Sequence, residues 1–207
     1  MANGTSGEAP ARQYKSGEER RREIVEATLA ILAEEGMHAW TTSALAERVG
    51  VSEATLFKHF DSKDEILSAA LRRQAEELRA RIEACEPEGS GWERVMGLAR
   101  EVMDYLEATE GGPLVILLGH AARIRPEMRD EVERTGERFR ERLVGFLDDG
   151  GGASGARAEV VSGLVIAVIQ SACLRWSVRG HEGSLAERAE PMLAFLEGCT
   201  SATGGTS

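Results

Sequence analysis

The residue types that most often perform catalysis are scattered along this chain. The four histidines stand far apart, as His38, His59, His120 and His181. The three cysteines are odd in number and lack metal-ligand spacing, being Cys85, Cys173 and Cys199. A Ser/His/Asp set, paired carboxylates and a phosphate-binding loop do not stand out anywhere in the sequence. We therefore predict no catalytic residue, no metal site and no cofactor, and enzyme activity is disfavoured.

The most informative spacing lies in the segment TTSALAERVGVSEATLFKHFDSKDEIL, residues 41–67. In a helix-turn-helix, a small residue lets the helices approach, a glycine makes the turn, and apolar residues lock the pair. Ala46 and Gly50 occupy the first two places, and Gly50 can adopt the positive φ that the turn requires. The locking set is Leu45, Val49, Val51 and Leu56. Two helices arranged in this way bind DNA through hydrogen bonds to phosphates and base edges.

Ser52 is placed to cap the second helix of this pair, which is predicted to end near His59. The positive end of that helix would face phosphates or base edges. The side chains expected on or near its exposed surface are Glu53, Ala54, Thr55 and Lys58. We interpret this helix as the one that reads DNA.

The segment resembles the signature of the TetR (tetracycline repressor) family, whose aromatic-x-His-Phe motif and Ser-Lys helix start read LFKHFDSKDEIL here. The resemblance is specific over residues 20–67 and is one of helix pattern beyond them. It implies DNA-backbone contacts by Thr42, Phe57, His59 and Lys63, and base contacts from among Glu53, Thr55 and Lys58. The full predicted DNA-binding set is Arg20, Thr42, Ser52, Glu53, Ala54, Thr55, Phe57, Lys58, His59 and Lys63. The family commonly has Tyr at Phe57, so one phosphate hydrogen bond of about 1 kcal/mol is absent or supplied elsewhere.

The net charge of -10 argues against a protein that coats nucleic acid nonspecifically, because that mode requires a basic surface. Acidic residues surround the predicted helix pair, so binding would depend on a few cations, namely Lys15, Arg20, Arg21, Arg22, Lys58 and Lys63. The arginine run has two readings, phosphate contact or a solvated charge run. Glu53 can also be interpreted in two ways. It either stabilises the helix dipole, which is the favoured interpretation, or contacts cytosine.

Helices must position these residues, because Ala, Leu, Glu and Arg dominate the long segments while aromatic residues make up 5%. Capping boxes mark four helix starts, at Ser16/Glu19, Ser62/Glu65, Ser90/Glu93 and Ser184/Glu187. We predict an all-α fold of about nine helices, with an N-terminal helix-turn-helix module and a C-terminal domain for ligand binding and dimerisation. These domains are expected at residues 16–63 and 64–199, between disordered ends at residues 1–15 and 200–207.

The first helix is predicted over residues 18–35, with Gly36 ending it. The two short helices of the pair follow, and a long fourth helix carries Leu67, Leu71, Leu78 and Ile82 on one stripe until Pro87. The remaining segments are helices at residues 92–109, 127–147, 156–179 and 185–198, a short apolar segment at 114–122, and a Gly-rich loop at 148–155.

A single helix-turn-helix reads few base pairs, so such regulators usually dimerise and place two reading helices about 34 Å apart. The stretch VVSGLVIAVIQSACLRW, residues 160–176, is apolar nearly all round, as expected for a helix buried by its own core and by a partner. The predicted interface is Val161, Leu164, Val168, Ala172, Leu193 and Leu196. A central helix of a single subunit is the alternative, and the apolar run is predicted to be too short to span a membrane.

Candidate pocket residues are large or polar side chains on the C-terminal helices: Trp92, Met96, Arg100, Met103, Leu106, Leu117, His120, Arg123, Phe139, Phe146, Gln170 and Trp176. Plain core is the alternative for most of them. Our hypothesis is that an apolar or amphipathic molecule wedges between the helices, shifts the fourth helix and moves the DNA-reading units out of register. A coupling of about 1–3 kcal/mol is enough for such a switch.

The resemblance implies a ligand-responsive repressor that binds a palindromic DNA operator as a homodimer. The effector and the operator are not identified by the sequence. No apolar signal segment opens the chain, so a cytoplasmic location and no membrane partner are expected. The competing hypothesis is an interaction protein that keeps the fold but uses the helix pair for something other than operator recognition.

Overall fold

The computed structural model describes residues 16–109, 126–150 and 153–202. Within those ranges the chain forms eight α-helices and no strand, which confirms the all-α prediction. The helices are α1 Gly17–Glu34, α2 Thr42–Val49, α3 Glu53–Leu56, α4 Lys63–Ala84, α5 Gly91–Ala108, α6 Pro126–Asp149, α7 Ala156–Val178 and α8 Leu185–Ala202. The apolar segment at 114–122 and the first fifteen residues lie outside the described ranges.

A serine stands before each of the four predicted helix starts, but the reciprocal box differs between them. At α8 the Ser184 hydroxyl accepts weakly from the Glu187 N–H at 3.4 Å and donates to Glu107 at 3.0 Å. Ser16 and Glu19 form the reciprocal box at α1, with N–H to oxygen distances of 3.1 and 2.7 Å. At α4, Ser62 accepts from the Glu65 backbone N–H at 3.1 Å, but the Glu65 carboxylate accepts from the Asp61 N–H instead of closing the box. That carboxylate is turned toward α1, where it pairs with Arg21.

Two separate hydrophobic clusters hold the helices together. The first contains Ile24, Ile31 and Leu32 of α1, together with buried residues of α2, α3 and the start of α4. The second and larger cluster is built from α4 to α8 and is centred on residues such as Leu98, Met103 and Leu143, which have no exposed surface. The chain therefore has a small N-terminal module and a larger C-terminal one.

Helix α4 belongs to both modules. Its Ile66 is buried in the first cluster, whereas Ala75, Leu78 and Ile82 are buried in the second. At 22 residues the helix is about 33 Å long, so it spans the distance between the modules without a break. The predicted boundary at residues 63 and 64 falls at its first turn, and a shift of this helix would move both clusters.

Two sequence expectations about the C-terminal helices are corrected. Helix α8 continues to Ala202, so the predicted disordered tail does not begin at Thr200, whose hydroxyl donates to the Glu197 carbonyl at 2.8 Å. Helix α7 has 23 residues and is long and apolar enough to cross a membrane by length and composition, contrary to the prediction that it is too short. Because 39% of its most apolar window is buried inside the subunit, one side of α7 already packs on protein.

The turn between α2 and α3 depends on the left-handed conformation of one residue. Gly50 has φ 72° and ψ 38°, which confirms the predicted positive φ. The next N–H, from Val51, returns to the Ala46 carbonyl at 2.9 Å and closes the end of α2. A Cβ at Gly50 would have no neighbour within 4 Å, so the constraint is one of backbone conformation and not of space.

Replacing Gly50 with alanine should lower the free energy of unfolding by about 1–2 kcal/mol, because an L-residue is strained in the left-handed region. The matched control is Gly145→Ala in the C-terminal part of α6, where a Cβ is equally uncrowded and the backbone is helical. That change should stabilise by about 0.5–1 kcal/mol. Urea unfolding followed by circular dichroism measures both, and equal effects of the two changes would contradict the turn described above.

Candidate DNA-binding surface and cavity

The predicted reading helix is shorter than expected. Ser52 caps α3 by accepting from the Thr55 N–H at 3.2 Å, but the helix ends at Leu56 and not near His59. A tighter turn follows, in which the His59 N–H donates to the Leu56 carbonyl at 3.0 Å. The tightening brings Phe60, which is 2% exposed, into the first cluster.

The structure places the predicted DNA-binding side chains of this segment around α3 and the turn after it. Ser52, Glu53, Ala54 and Lys58 are exposed, whereas Thr55 and His59 are half-buried. Phe57 stands out because 45% of its surface is exposed, which is unusual for a large apolar side chain. These residues form a continuous edge of the N-terminal module on which Phe57 is the apolar element.

Thr42 is brought to the same edge by a contact between α2 and α3. Its hydroxyl donates to the Glu53 carboxylate at 2.5 Å. The contact ties the first residue of α3 to the first residue of α2. Glu53 therefore has a partner within the protein, and its charge also lies in the first turn of a helix, where it interacts favourably with the helix dipole.

The arginine run of α1 is engaged with acidic neighbours. Arg20 pairs with Glu23 at 2.8 Å, and Arg22 lies 4.0 Å from Glu26. Arg21 packs its guanidinium 4.0 Å from the centre of the Phe60 ring and donates to the His59 carbonyl. Arg21 thus fastens the turn after α3 to α1, which is a positioning role that the sequence did not reveal.

The two lysines of this surface are held differently. Lys63 donates to the Trp40 carbonyl at 3.2 Å, and its ammonium lies 4.6 Å from the centre of the Trp40 ring. This anchoring fixes a cation at the start of α4 while leaving it exposed. Lys58 is exposed, and within the described ranges no carboxylate lies in ion-pair distance of it.

A cavity of about 560 Å³ lies in the C-terminal module between α4, α5, α6 and α7. Its walls are Leu78, Ile82, Val102, Leu106, Val132, Thr135, Gly136, Phe139, Ile166, Ala167, Ile169, Gln170, Ser171, Cys173 and Leu174. The volume falls in the range of small-molecule sites, and most of the lining is aliphatic. None of the lining residues in the described part of the chain is charged.

Three of the predicted pocket residues line this cavity, namely Leu106, Phe139 and Gln170. Six others, Trp92, Met96, Arg100, Met103, Phe146 and Trp176, do not, while Leu117, His120 and Arg123 lie outside the described residues. The physical reason is that large side chains fill space. Met103 and Trp176 are core, and Arg100 pairs with Glu190 on the surface at 3.1 Å.

The small residues that leave the space open were not among the predicted pocket residues. Gly136, Ala167 and Ser171 line the cavity on α6 and α7, where bulkier side chains would occupy it. Thr135 was also missed, although it supplies a polar group to the wall. Its hydroxyl donates to the Glu131 carbonyl at 2.9 Å and accepts from Arg79 of α4 at 3.1 Å. The only available signal was the interruption of an apolar pattern by small residues.

Arg79 connects the cavity wall to α4. Besides contacting Thr135, it pairs with Glu131, a carboxylate that is only 7% exposed and that also accepts from Arg134 at 2.5 Å. A nearly buried carboxylate is stable only with such partners, so the cluster is a firm link between α4 and α6.

The predicted dimer-interface residues divide between the two sides of α7 and α8. Val161, Ala172 and Leu193 are buried within the subunit, at 6%, 0% and 0% exposure, so these three assignments are wrong. Their side chains face the second cluster and cannot reach a partner. Leu164 is exposed, and Val168 and Leu196 are half-buried.

The outer face of α7 carries an apolar stripe, here called the α7 stripe. Its members recur every three or four residues and are Val160, Leu164, Ala167, Ser171, Leu174 and Val178. Phe195 of α8 is exposed as well, at 71%. Five of the six exposed large hydrophobic residues in the described ranges therefore lie on these two helices, and the sixth is Phe57.

Comparison with known proteins identifies the N-terminal module. Residues 24–70, from α1 to the start of α4, match the model described as "Bacterial regulatory proteins, tetR family". The nucleoid occlusion factor SlmA of Glaesserella parasuis is 30% identical over 115 residues, which cover 55% of this chain and 57% of that protein. The chain thus matches little more than half the length of that relative.

Solved structures resemble the whole fold at low sequence identity. A tetR-family transcriptional regulator from Streptomyces coelicolor matches with a TM-score of 0.74 at 20% identity, over 91% of this chain and 84% of the other. The regulator FadR from Bacillus subtilis, solved in complex with stearoyl-CoA, matches with a TM-score of 0.67 at 19% identity, over 84% and 96%. These similarities concern the fold.

The cavity geometry predicts unequal reactivity of two thiols. Burial raises the pKa of the Cys173 thiol to about 12, whereas Cys199 is exposed. Because the thiolate is the reactive form and a raised pKa removes it at pH 8, iodoacetamide should modify Cys199 and leave Cys173 intact in the folded protein. Mass spectrometry with and without urea measures this. Modification of both thiols at the same rate without urea would contradict the buried position of Cys173.

Proposed function

We propose that the chain is a ligand-responsive repressor of the TetR family that holds a palindromic operator as a homodimer, a proposal supported by the match of residues 24–70 to the tetR-family model. A small apolar or amphipathic molecule binds the C-terminal module and releases the protein from DNA. The observation that carries this proposal is the single helix α4, which begins beside the exposed edge around α3 and also forms a wall of the cavity.

DNA binding is assigned to the edge formed by α2, α3 and the first turn of α4. Lys58 and Lys63 supply the cations for phosphate contacts, since the arginines of α1 are engaged with acidic residues. Phe57 supplies an apolar contact, such as one to a thymine methyl group, and needs no hydroxyl for it. Thr42, Ser52, Ala54, Thr55 and His59 complete the surface, while Glu53 fixes α3 to α2 through Thr42.

Dimerisation is assigned to the α7 stripe and the exposed face of α8. Exposed apolar side chains concentrated on one side of a protein mark an interaction surface. Oligomers of identical chains most often have two-fold symmetry, in which the same surface meets itself. A dimer of this kind carries two copies of α3, as a palindromic operator requires.

The effector is assigned to the cavity between α4 and α7. Its aliphatic walls suit an apolar body, and Thr135 and Gln170 suit one or two hydrogen-bonding groups. Thr135 accepts a hydrogen bond from Arg79 of α4, so a molecule that contacts Thr135 is connected to α4 through that bond. A repressor that reads chromosomal operators acts in the bacterial cytoplasm, which we assign as its location.

A second candidate function is suggested by the relatives named nucleoid occlusion factor, which are 30% identical or more. A protein of that kind would correspond to our alternative hypothesis of an interaction protein with this fold. The two candidates differ in whether the helix pair recognises an operator. Selection of bound sequences from random DNA distinguishes them, because a dimeric repressor enriches a palindrome and the interaction protein enriches no sequence.

Alanine at Lys58 or at Lys63 should weaken operator binding by about 1–2 kcal/mol, or roughly 5- to 30-fold. The slope of log affinity against log salt should fall by about 0.9 for each lost phosphate contact. Gel-shift titration on the selected operator measures both quantities. Arg179→Ala, which removes an exposed cation at the end of α7, is the control and should change neither. Unchanged affinity of both lysine variants would refute the assigned surface.

A compound that raises the thermal stability of the protein by binding the cavity should lower operator affinity by about 5- to 150-fold. The reason is that α4 is shared by the cavity and the DNA-binding module. The measurement is a gel-shift titration with and without the compound at saturation. A compound that binds the cavity and leaves operator affinity unchanged would argue against an effector-controlled repressor.

A further inference from the structure

We propose that the cavity is completed by a second copy of this chain, so that each bound effector lies between two subunits. The inference rests on the proposed function, because it takes the cavity as the effector site and the α7 stripe as the dimer surface. It adds that the effector site is unfinished in the monomer, and that effector binding and dimerisation support each other.

The first observation is how much of α7 faces the cavity. Seven of the nine residues from Ile166 to Leu174 line it. Successive helical residues are about 100° apart, so these seven cover an arc of about 200° around the helix axis. A helix that closed one wall of an enclosed cavity would contribute a narrower face. The cavity therefore continues past the flank of α7 toward its outer side.

The second observation is that the cavity wall and the exposed stripe share residues. Ala167, Ser171 and Leu174 line the cavity and are also members of the α7 stripe. Leu174 is 57% exposed. On the opposite walls, Leu78, Ile82 and Leu106 are at most 4% exposed. Among the residues that the structure describes, the cavity therefore has a closed floor on α4 and α5 and opens at the outer face of α7.

The third observation concerns what covers this opening. The members of the α7 stripe are uncharged, and the stripe runs about 27 Å from Val160 to Val178. The charged neighbour Arg175 donates to Ser171 of the stripe at 2.7 Å and lies 3.9 Å from the Met192 sulfur of α8, so its guanidinium is held against its own subunit. The apolar side chains of the stripe produce no repulsion when they meet their own copies, as a two-fold interface requires. Phe195 extends the same exposed surface onto α8. A second copy seated there covers the mouth and brings its own stripe against the bound molecule.

A consequence of a shared site is thermodynamic linkage. A ligand that contacts both subunits binds the dimer more tightly than the monomer, so it stabilises the dimer by the same factor. Dilution of the protein below its dimerisation constant should therefore weaken ligand binding. A site enclosed within one subunit shows no such dependence.

The test uses the full chain and the neutral fluorescent probe N-phenyl-1-naphthylamine, whose emission rises in apolar surroundings. Val160 is the position to change, because it lies on the α7 stripe, is 62% exposed and does not line the cavity of its own subunit. Val160→Arg should give a monomer in analytical ultracentrifugation and bind the probe at least 10-fold more weakly than the wild type. The matched control is Ala80→Arg at an exposed position of α4, which should leave both properties unchanged.

Circular dichroism verifies that the variant is folded, and Val178→Arg, at a position 78% exposed, replaces it if Val160→Arg does not fold. A folded monomeric variant with wild-type probe affinity overturns the proposal, because the cavity is then closed by one subunit. A variant that remains dimeric overturns it too, as does a wild-type protein that does not bind the probe. Sequence-specific DNA binding is measured separately, so loss of the proposed function would be seen independently of these results.

Discussion

Helix α4 must satisfy two hydrophobic cores at once, and this constraint connects the two ends of the molecule. Ile66 is buried with the N-terminal helices, and Ile82, four and a half turns later, is buried with the C-terminal ones. An uninterrupted helix moves largely as one body because hydrogen bonds join each of its turns to the next. Arg79 adds a polar connection from the same helix to the cavity wall at Thr135. The two modules are thus mechanically connected at their only shared helix among the described elements.

The electrostatics of the N-terminal module follow from how its charges pair. A protein of net charge -10 can bind DNA only where a few cations escape neutralisation. Most arginines of the module are engaged, since Arg20, Arg22 and Arg48 contact acidic residues of α1. The same pairs lower the repulsion that those carboxylates would exert on phosphate. Lys63 keeps its position through the Trp40 ring and carbonyl, which orient a cation without cancelling its charge.

The C-terminal module has an open cavity because its lining combines aliphatic walls with small residues. Close packing normally removes voids larger than a water molecule. Here Gly136 on α6 and Ala167 on α7 leave the helices without the side chains that would fill the gap. The opening of the cavity lies on the apolar outer face of α7. One helix therefore packs in the core of its own subunit, lines the proposed effector site and forms the proposed contact with the partner.

The sequence by itself determined the local features, because these depend on neighbours within a few residues. The helices, the caps at Ser16 and Ser52, and the left-handed turn at Gly50 all follow from short-range hydrogen bonds and backbone preferences. The family signature was visible for the same reason, since it lies within one continuous segment.

Only the tertiary structure decided which side of a helix is buried and which side chains meet across the fold. Helix α7 is apolar nearly all round, so its pattern could not show that Ala172 faces inward while Leu174 faces outward. The contacts of Arg21 with the turn after α3, and of Arg79 with α6, join residues 38 or more positions apart. The cavity is the space that remains after four helices have packed, and that space is a property of their arrangement and not of any one segment.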